Sequence, residues 1–288
     1  MSIEIIDGFK VIRNEKGLVL SIESDRLEEC IQYAKNKGIS RIFLNKHNGY
    51  NANNVDFFKQ NNFFTAVAIT DQTIDISGVH FLYNLEYLSL SNTKQKIDFS
   101  HFPLLEECSI DWNDKILNMG RCKKLEKAKI WKYKPKSKTF FEIKDVVSLK
   151  HLHITESNIE SFKNIEHLKN LCHFEGHYLS KVETLCDLQI LQNVLKVLVL
   201  EHCKKIKDKE EVLRKITSLE KIILTDCGEM SSIKFINELP NLSFFSFVGT
   251  NIKDGNMSPC VNLKYAGFDD KRHYSHKSEA IKGEKNNL

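Results

Sequence analysis

The sequence predicts an α/β solenoid: about 11 short parallel strands on a concave face, joined by short helices and turns on the convex side. Two observations carry that expectation. One apolar hexamer recurs along most of the chain, and its copies lie a near-constant 20–25 residues apart. The segments between copies carry apolar anchors of their own, so each unit has something to bury on both sides.

The hexamers read LEYLSL from Leu85, LEECSI from Leu105, LEKAKI from Leu125, LKHLHI from Leu149 and LCHFEG from Leu171. They continue as LKVLVL from Leu195, LEKIIL from Leu219, LSFFSF from Leu242 and LKYAGF from Leu263. Two weaker copies precede them, ISRIFL from Ile39 and FTAVAI from Phe64. Alternation within a strand sends the last two apolar residues to one side and the residue between them to the other. Stacking the units in parallel then buries one continuous apolar layer that no single unit could form. Three residues past the last apolar position stand Thr93, Asn113, Tyr133, Ser157, Leu179, Cys203, Cys227, Thr250 and Lys271. Six of these are small hydrogen-bonding types that can tie up a turning backbone. Tyr133, Leu179 and Lys271 depart, so irregularity is expected near Tyr133 and Leu179.

The return segments hold sets such as Ile159, Phe162, Ile165 and Leu168, whose spacing reads as helical, with the 24-residue units the better candidates for true helix. The LxxLxL core and a period within 20–29 residues resemble bacterial leucine-rich repeats of the internalin type. That resemblance implies a horseshoe solenoid over residues 39–270 that acts by binding.

Residues 1–38 read as an N-terminal cap: a β-hairpin, then a helix with Asp25 as N-cap, Glu28 as capping-box acid and Gly38 as its stop. Residues 271–288 are polar and basic, read as a tail with one short helix that then frays. The whole reads as one cooperative domain.

Composition excludes several classes. With 41% apolar and 28% charged residues the chain is neither disordered nor membrane-spanning. A net charge of +4 is too small to imply nucleic-acid binding by itself. The start has no basic stretch followed by a long apolar one, so no secretory signal is expected. The eight cysteines include no CxxC pair, and Cys108, Cys203 and Cys227 fall on interior repeat positions. Free buried thiols suit a reducing compartment, and a cytoplasmic bacterial protein is the expectation.

The outward strand positions are where a partner would bind. Reading them in order gives eight acids against four lysines, a balance of −4 on a chain that is positive overall. A basic protein partner fits such a face, and nucleic acid does not. Aromatic residues interleave with the acids: Tyr87, Trp112, Trp131, Tyr178, Phe244 and Tyr265. Exposed Trp and Tyr are the types that dominate interface hot spots. His151, His153, His173, His177 and His202 fall on three adjacent strands with Glu175 among them. They read as a polar or pH-sensitive patch rather than a metal site, because the sequence displays no recognised second shell. The expected partner-binding set is these residues with Asp111, Glu201 and Asp226. The lysines from Lys123 to Lys138 read as a solvated repeat edge, not a phosphate site.

No GxxxxGK[ST], GxGxxG, GxSxG or HExxH motif is present, so no catalytic residue and no cofactor is expected. The sequence thus points to a protein-binding module, in its sharper form an immunity or inhibitor protein for a basic toxin such as a nuclease. The alternatives are a substrate adaptor or scaffold of a signalling or ubiquitin-ligase-type complex and, behind it, a histidine-cluster metal sensor.

Overall fold

A computed structural model describes residues 3–281 of the chain. It divides into two compact units, Met1–Lys129 and Ile130–Leu288.

The first unit opens with strands β1 (Ile3–Ile6), β2 (Phe9–Asn14) and β3 (Gly17–Ser21), an antiparallel meander. Helix α1 (Leu27–Lys37) follows, burying Cys30, Ile31, Tyr33 and Ala34. Its start differs from the capping box read from the sequence. A 3₁₀ turn, Ser24–Arg26, occupies that place, and no side chain caps α1. The Ser24 hydroxyl instead accepts from the Asn51 and Ala52 N–H groups. At the far end Gly38, with φ 66°, turns the chain while its N–H donates to the carbonyls of Ala34 and Lys35.

From there the repeats begin: β4 (Arg41–Leu44), β5 (Ala66–Ile69), β6 (Tyr87–Leu90) and β7 (Glu107–Asp111). β3 pairs parallel with β4, and each later strand pairs parallel with its predecessor, Ile42 to Val67 to Leu88 to Cys108 in register. Strand β8 (Lys127–Trp131) covers the boundary between the units.

The second unit continues with β9 (His151–Thr155), β10 (His173–His177), β11 (Val197–Glu201), β12 (Lys221–Thr225), β13 (Phe244–Ser246) and β14 (Tyr265–Gly267). Neighbours pair parallel throughout. The apolar positions of the hexamer are the core: Leu149, Leu152, Ile154, Leu171, Phe174, Leu195, Leu198 and Leu200 are all buried. Each such leucine contributes about 1.5–3 kcal/mol against exposure. Within each unit the parallel strands stack as leucine-rich repeats of a solenoid.

The hydrogen-bonding position of the pattern performs its role. The Cys203, Cys227 and Thr250 side chains donate to the carbonyls of Gly176, Leu200 and Leu224, each one repeat back. Ser157 donates likewise to Tyr133. Two of the three departures, Tyr133 and Leu179, are absorbed differently. Tyr133 is fully buried, and its hydroxyl donates to the Thr139 carbonyl at 3.1 Å across a widened turn. Leu179 fills the space left by Gly176, which stands where the hexamer calls for a large apolar residue. A Cβ there would lie 2.6 Å from Leu179 Cδ1 and 3.0 Å from Phe174 Cε1.

The return segments are the short helices and turns expected, mostly in their tighter form. Most are 3₁₀ turns, including Ile165–His167 in the set of four buried anchors Ile159, Phe162, Ile165 and Leu168. Their spacing of three matches 3₁₀ geometry, in which i and i+3 eclipse, better than 3.6 residues per turn. One α-helix stands among the described return segments, α2 (Lys209–Leu213), in a 24-residue repeat.

The stretch from residue 271 is held down further than a free tail. His273 Nε2 donates to the Ile252 carbonyl, and the Tyr274 hydroxyl accepts from Ile252 N–H at 3.0 Å. Helix α3 (Ser278–Ile281) buries Ile281. The fraying expected at the end falls on residues 282–288, outside those described.

Candidate functional site

Two residues past the last apolar position of seven hexamers the chain sits in the left-handed region, a feature the sequence pattern conceals. Asn92 (φ 58°), Lys132 (53°), Glu156 (54°), Tyr178 (56°), His202 (54°) and Asp226 (50°) all adopt it, and Gly249 takes it at 71°. In the second unit these residues still extend the ladder: Glu156, Tyr178, His202 and Asp226 donate their N–H groups to His177, Glu201, Thr225 and Val248. The conformation turns the chain, and it sets Tyr178 beside His202, their rings stacked 4.5 Å apart.

Strand register assembles the rest. His151 pairs with His173, His153 with Glu175 and Thr155 with His177, while His177 pairs onward with Glu201. Alternation puts His151, His153, His173, Glu175 and His177 on one face, where adjacent strands lie about 4.8 Å apart. Glu175 is the hub. Its Oε1 accepts from His173 Nε2 at 2.7 Å, and its Oε2 lies 3.3 Å from His153 Nδ1 and 3.6 Å from His177 Nε2. The hydrogen bond from His173, then the neighbouring His177, hold the Glu175 carboxyl well below the usual carboxylate range despite half-burial.

His177 is pinned from the other side by Glu201, whose Oε2 lies 2.7 Å from Nδ1. The Glu175 carboxylate first, and Glu201 with it, raise the His177 imidazole above its ordinary value against the effect of burial. Its Nε2 is buried and has no hydrogen-bond partner. His153 stacks on His177 with ring centroids 4.5 Å apart, and its Nε2 lies 2.9 Å from Thr155 Oγ1. The ligating atoms of His153, Glu175 and His177 all lie within 4.8 Å of one another. His202 stands at the edge of the cluster, 3.5 Å from Glu201 and 3.6 Å from Asp226.

The aromatic residues divide by exposure. Trp131, Tyr178 and Tyr265 are exposed, at 39%, 48% and 37%. Each ring lies against one from the next or previous repeat: Trp131 against His153 at 6.2 Å, Tyr178 against His202, and Tyr265 against Phe244 at 4.3 Å. Phe244 is only half-exposed, held between Tyr265 and the Lys221 ammonium 4.5 Å from its ring.

In the first unit Tyr87, Asp111 and Trp112 are half-buried. Tyr87 lines an open groove of about 770 Å³ with Phe43, Ala68 and Ser89, edged by the β2–β3 turn. Lys16 on that turn pairs with Glu107 at 2.9 Å. Residue order shows no sign of this groove, because the hairpin reaches the strand face only through tertiary packing.

Among the cysteines, six are buried, Cys172 is half-exposed and Cys186 is exposed. Lys138, in the lysine-rich stretch, pairs with Glu160 at 2.8 Å. No helix among the described residues is long and apolar enough to cross a membrane.

No family model matches the chain, and no curated protein matches it. Solved structures do. An internalin, InlF, of Listeria monocytogenes shares 15% identity over 88% of this chain and 87% of its own, with a TM-score of 0.48. A leucine-rich-repeat protein of Leptospira interrogans shares 16% over 87% and 77%, also with a TM-score of 0.48. The leucine-rich-repeat domain of the type III effector XopL shares 15% over 82% and 78%, with a TM-score of 0.47.

Proposed function

We propose that this protein binds a basic protein partner through the outward strand face of its second unit. One observation carries the reading: three exposed aromatic rings, Trp131, Tyr178 and Tyr265, each rest on a ring of an adjacent repeat, and two of the supporting rings, His153 and His202, stand beside the carboxylates of Glu175, Glu201 and Asp226. Rings already held in place lose little freedom on binding, which is what makes aromatic anchors effective. The carboxylates beside them favour cationic side chains and speed encounter with a positively charged partner. In its finer form the reading is an antidote: a partner that is a basic toxin such as a nuclease would have its nucleic-acid surface covered by this acidic face. The face carries recognition rather than chemistry, in keeping with a sequence that holds no enzyme motif.

The test is affinity capture with the intact chain beside a variant carrying Trp131→Ala, Tyr178→Ala and Tyr265→Ala, followed by affinity measurement with the purified partner. Loss of three anchors should weaken binding by at least about 100-fold, and raising salt should weaken the intact complex further. A partner that is acidic, or that binds the variant equally well, would overturn the proposal.

A further inference from the structure

We infer that His153, Glu175 and His177 form a binding site for a divalent transition metal of the zinc class, with a fourth coordination position left open. The donor set is two imidazole nitrogens and one carboxylate oxygen, which zinc accepts readily and which magnesium or calcium does not favour. A tetrahedral zinc with bonds near 2.0–2.1 Å has ligand atoms about 3.3–3.4 Å apart. Glu175 Oε2 already stands 3.3 Å from His153 Nδ1 and 3.6 Å from His177 Nε2. The two rings, now stacked at an interplanar angle of 15°, reach the remaining edge by rotation about χ2, a soft torsion in histidine.

The surroundings of each ligand are those of a built site. A metal-bound histidine characteristically donates its other ring N–H to a fixed acceptor, which sets the tautomer. His177 Nδ1 meets the Glu201 carboxylate at 2.7 Å, leaving its buried Nε2 lone pair without a partner. His153 Nε2 meets Thr155 Oγ1 at 2.9 Å, which leaves Nδ1 turned to Glu175. His173 holds the far oxygen of Glu175 at 2.7 Å, so the near oxygen remains for the ion. All three ligands are therefore oriented by residues that do not themselves ligate. Two neutral imidazoles and one carboxylate leave a divalent ion with a net charge of +1. The fourth position is filled by water or by a donor atom that a bound partner brings.

The inference does not depend on the binding face proposed above, and the metal alone tests it. The full chain, stripped of metal, is titrated with Zn²⁺ against a chromogenic chelator, and Co²⁺ is added separately to read d–d absorption. The expected result is one ion per chain and the intense visible bands of tetrahedral cobalt. His177→Ala and His153→Ala should each lower affinity at least about 100-fold and remove those bands, and Glu201→Gln should lower it about 10–100-fold. Glu175→Gln, which keeps size and shape, should also remove the bands while the far-UV spectrum stays unchanged. His202→Ala, a histidine of the same patch outside the ligand set, should leave zinc affinity within about threefold, well short of the effect of losing a ligand. Absence of stoichiometric zinc binding by the intact chain, or equal binding by the folded Glu175→Gln protein, would overturn the assignment.

Discussion

Gly176 is the position at which the repeat pattern and the structure give opposite advice, and swapping it tests how this core is packed. The hexamer calls for leucine there, and a consensus argument would substitute Gly176→Leu to gain stability. The structure predicts the reverse. A Cβ at Gly176 would stand 2.6 Å from Leu179 Cδ1 and 3.0 Å from Phe174 Cε1, and both neighbours are fully buried. Overpacking of this kind costs about 1–3 kcal/mol. The gain from removing a flexible glycine from the unfolded chain, about 0.4–1 kcal/mol, is smaller. Leu179→Ser alone should cost about 2–5 kcal/mol, since it opens a cavity in a packed repeat and buries a hydroxyl. Together the two substitutions restore the ordinary pattern, leucine on the strand and a small donor three residues later, as at Leu200 and Cys203. The double variant should therefore be more stable than the sum of the singles by about 1–3 kcal/mol. Urea unfolding of the four proteins, followed by circular dichroism, measures the coupling. Additive effects, or a Gly176→Leu protein as stable as the parent, would refute the claim that Leu179 occupies the missing side chain's volume.

Other substitutions probe the turns. Glu156→Asn should raise stability by several tenths of a kcal/mol up to about 1, because asparagine tolerates φ 54° better than glutamate, and thermal melts would show it. Gly249→Ala should destabilise by about 1–3 kcal/mol, since φ is 71° there and the new Cβ would fall 2.1 Å from Asp226 Oδ1; an unchanged urea midpoint would contradict this. In the first unit the Asp98 carboxylate accepts from Asn118 Nδ2 and from Ser100, which lowers its pKa from 3.8 to about 2. A depressed folded pKa contributes stability above the unfolded value and loses it as pH falls, here between about 4 and about 2. The Asp98→Asn protein should therefore be less stable than the parent at neutral pH and lose that difference across this window; a difference independent of pH would rule out the carboxylate's role.

The periodic features were legible from residue order. Repeat length, strand positions and the apolar layer all follow from which residues recur at 20–25 spacing, because each strand's inward side chains can be buried only by copies of themselves. The outward row was legible for the same reason, and with it the gathering of His151, His153, His173, Glu175 and His177 on adjacent strands. Atomic relations lay beyond it. Residue order placed histidines near one another but could not show that Glu201 faces Nδ1 of His177 while Nε2 stays unpartnered, since that depends on rotamers chosen by packing. Nor could it show that Leu179 stands in for the side chain missing at Gly176, or that the hairpin carries Lys16 to Glu107, 91 residues away in sequence. The return segments were legible as short helices or turns; which of them wind as 3₁₀ was not, because a spacing of three buries the same residues in either form and the cramped repeat selects the tighter winding. Sequence determined which faces meet; tertiary packing decided which atoms do, because volume and hydrogen-bond geometry are settled only when neighbouring repeats are in place.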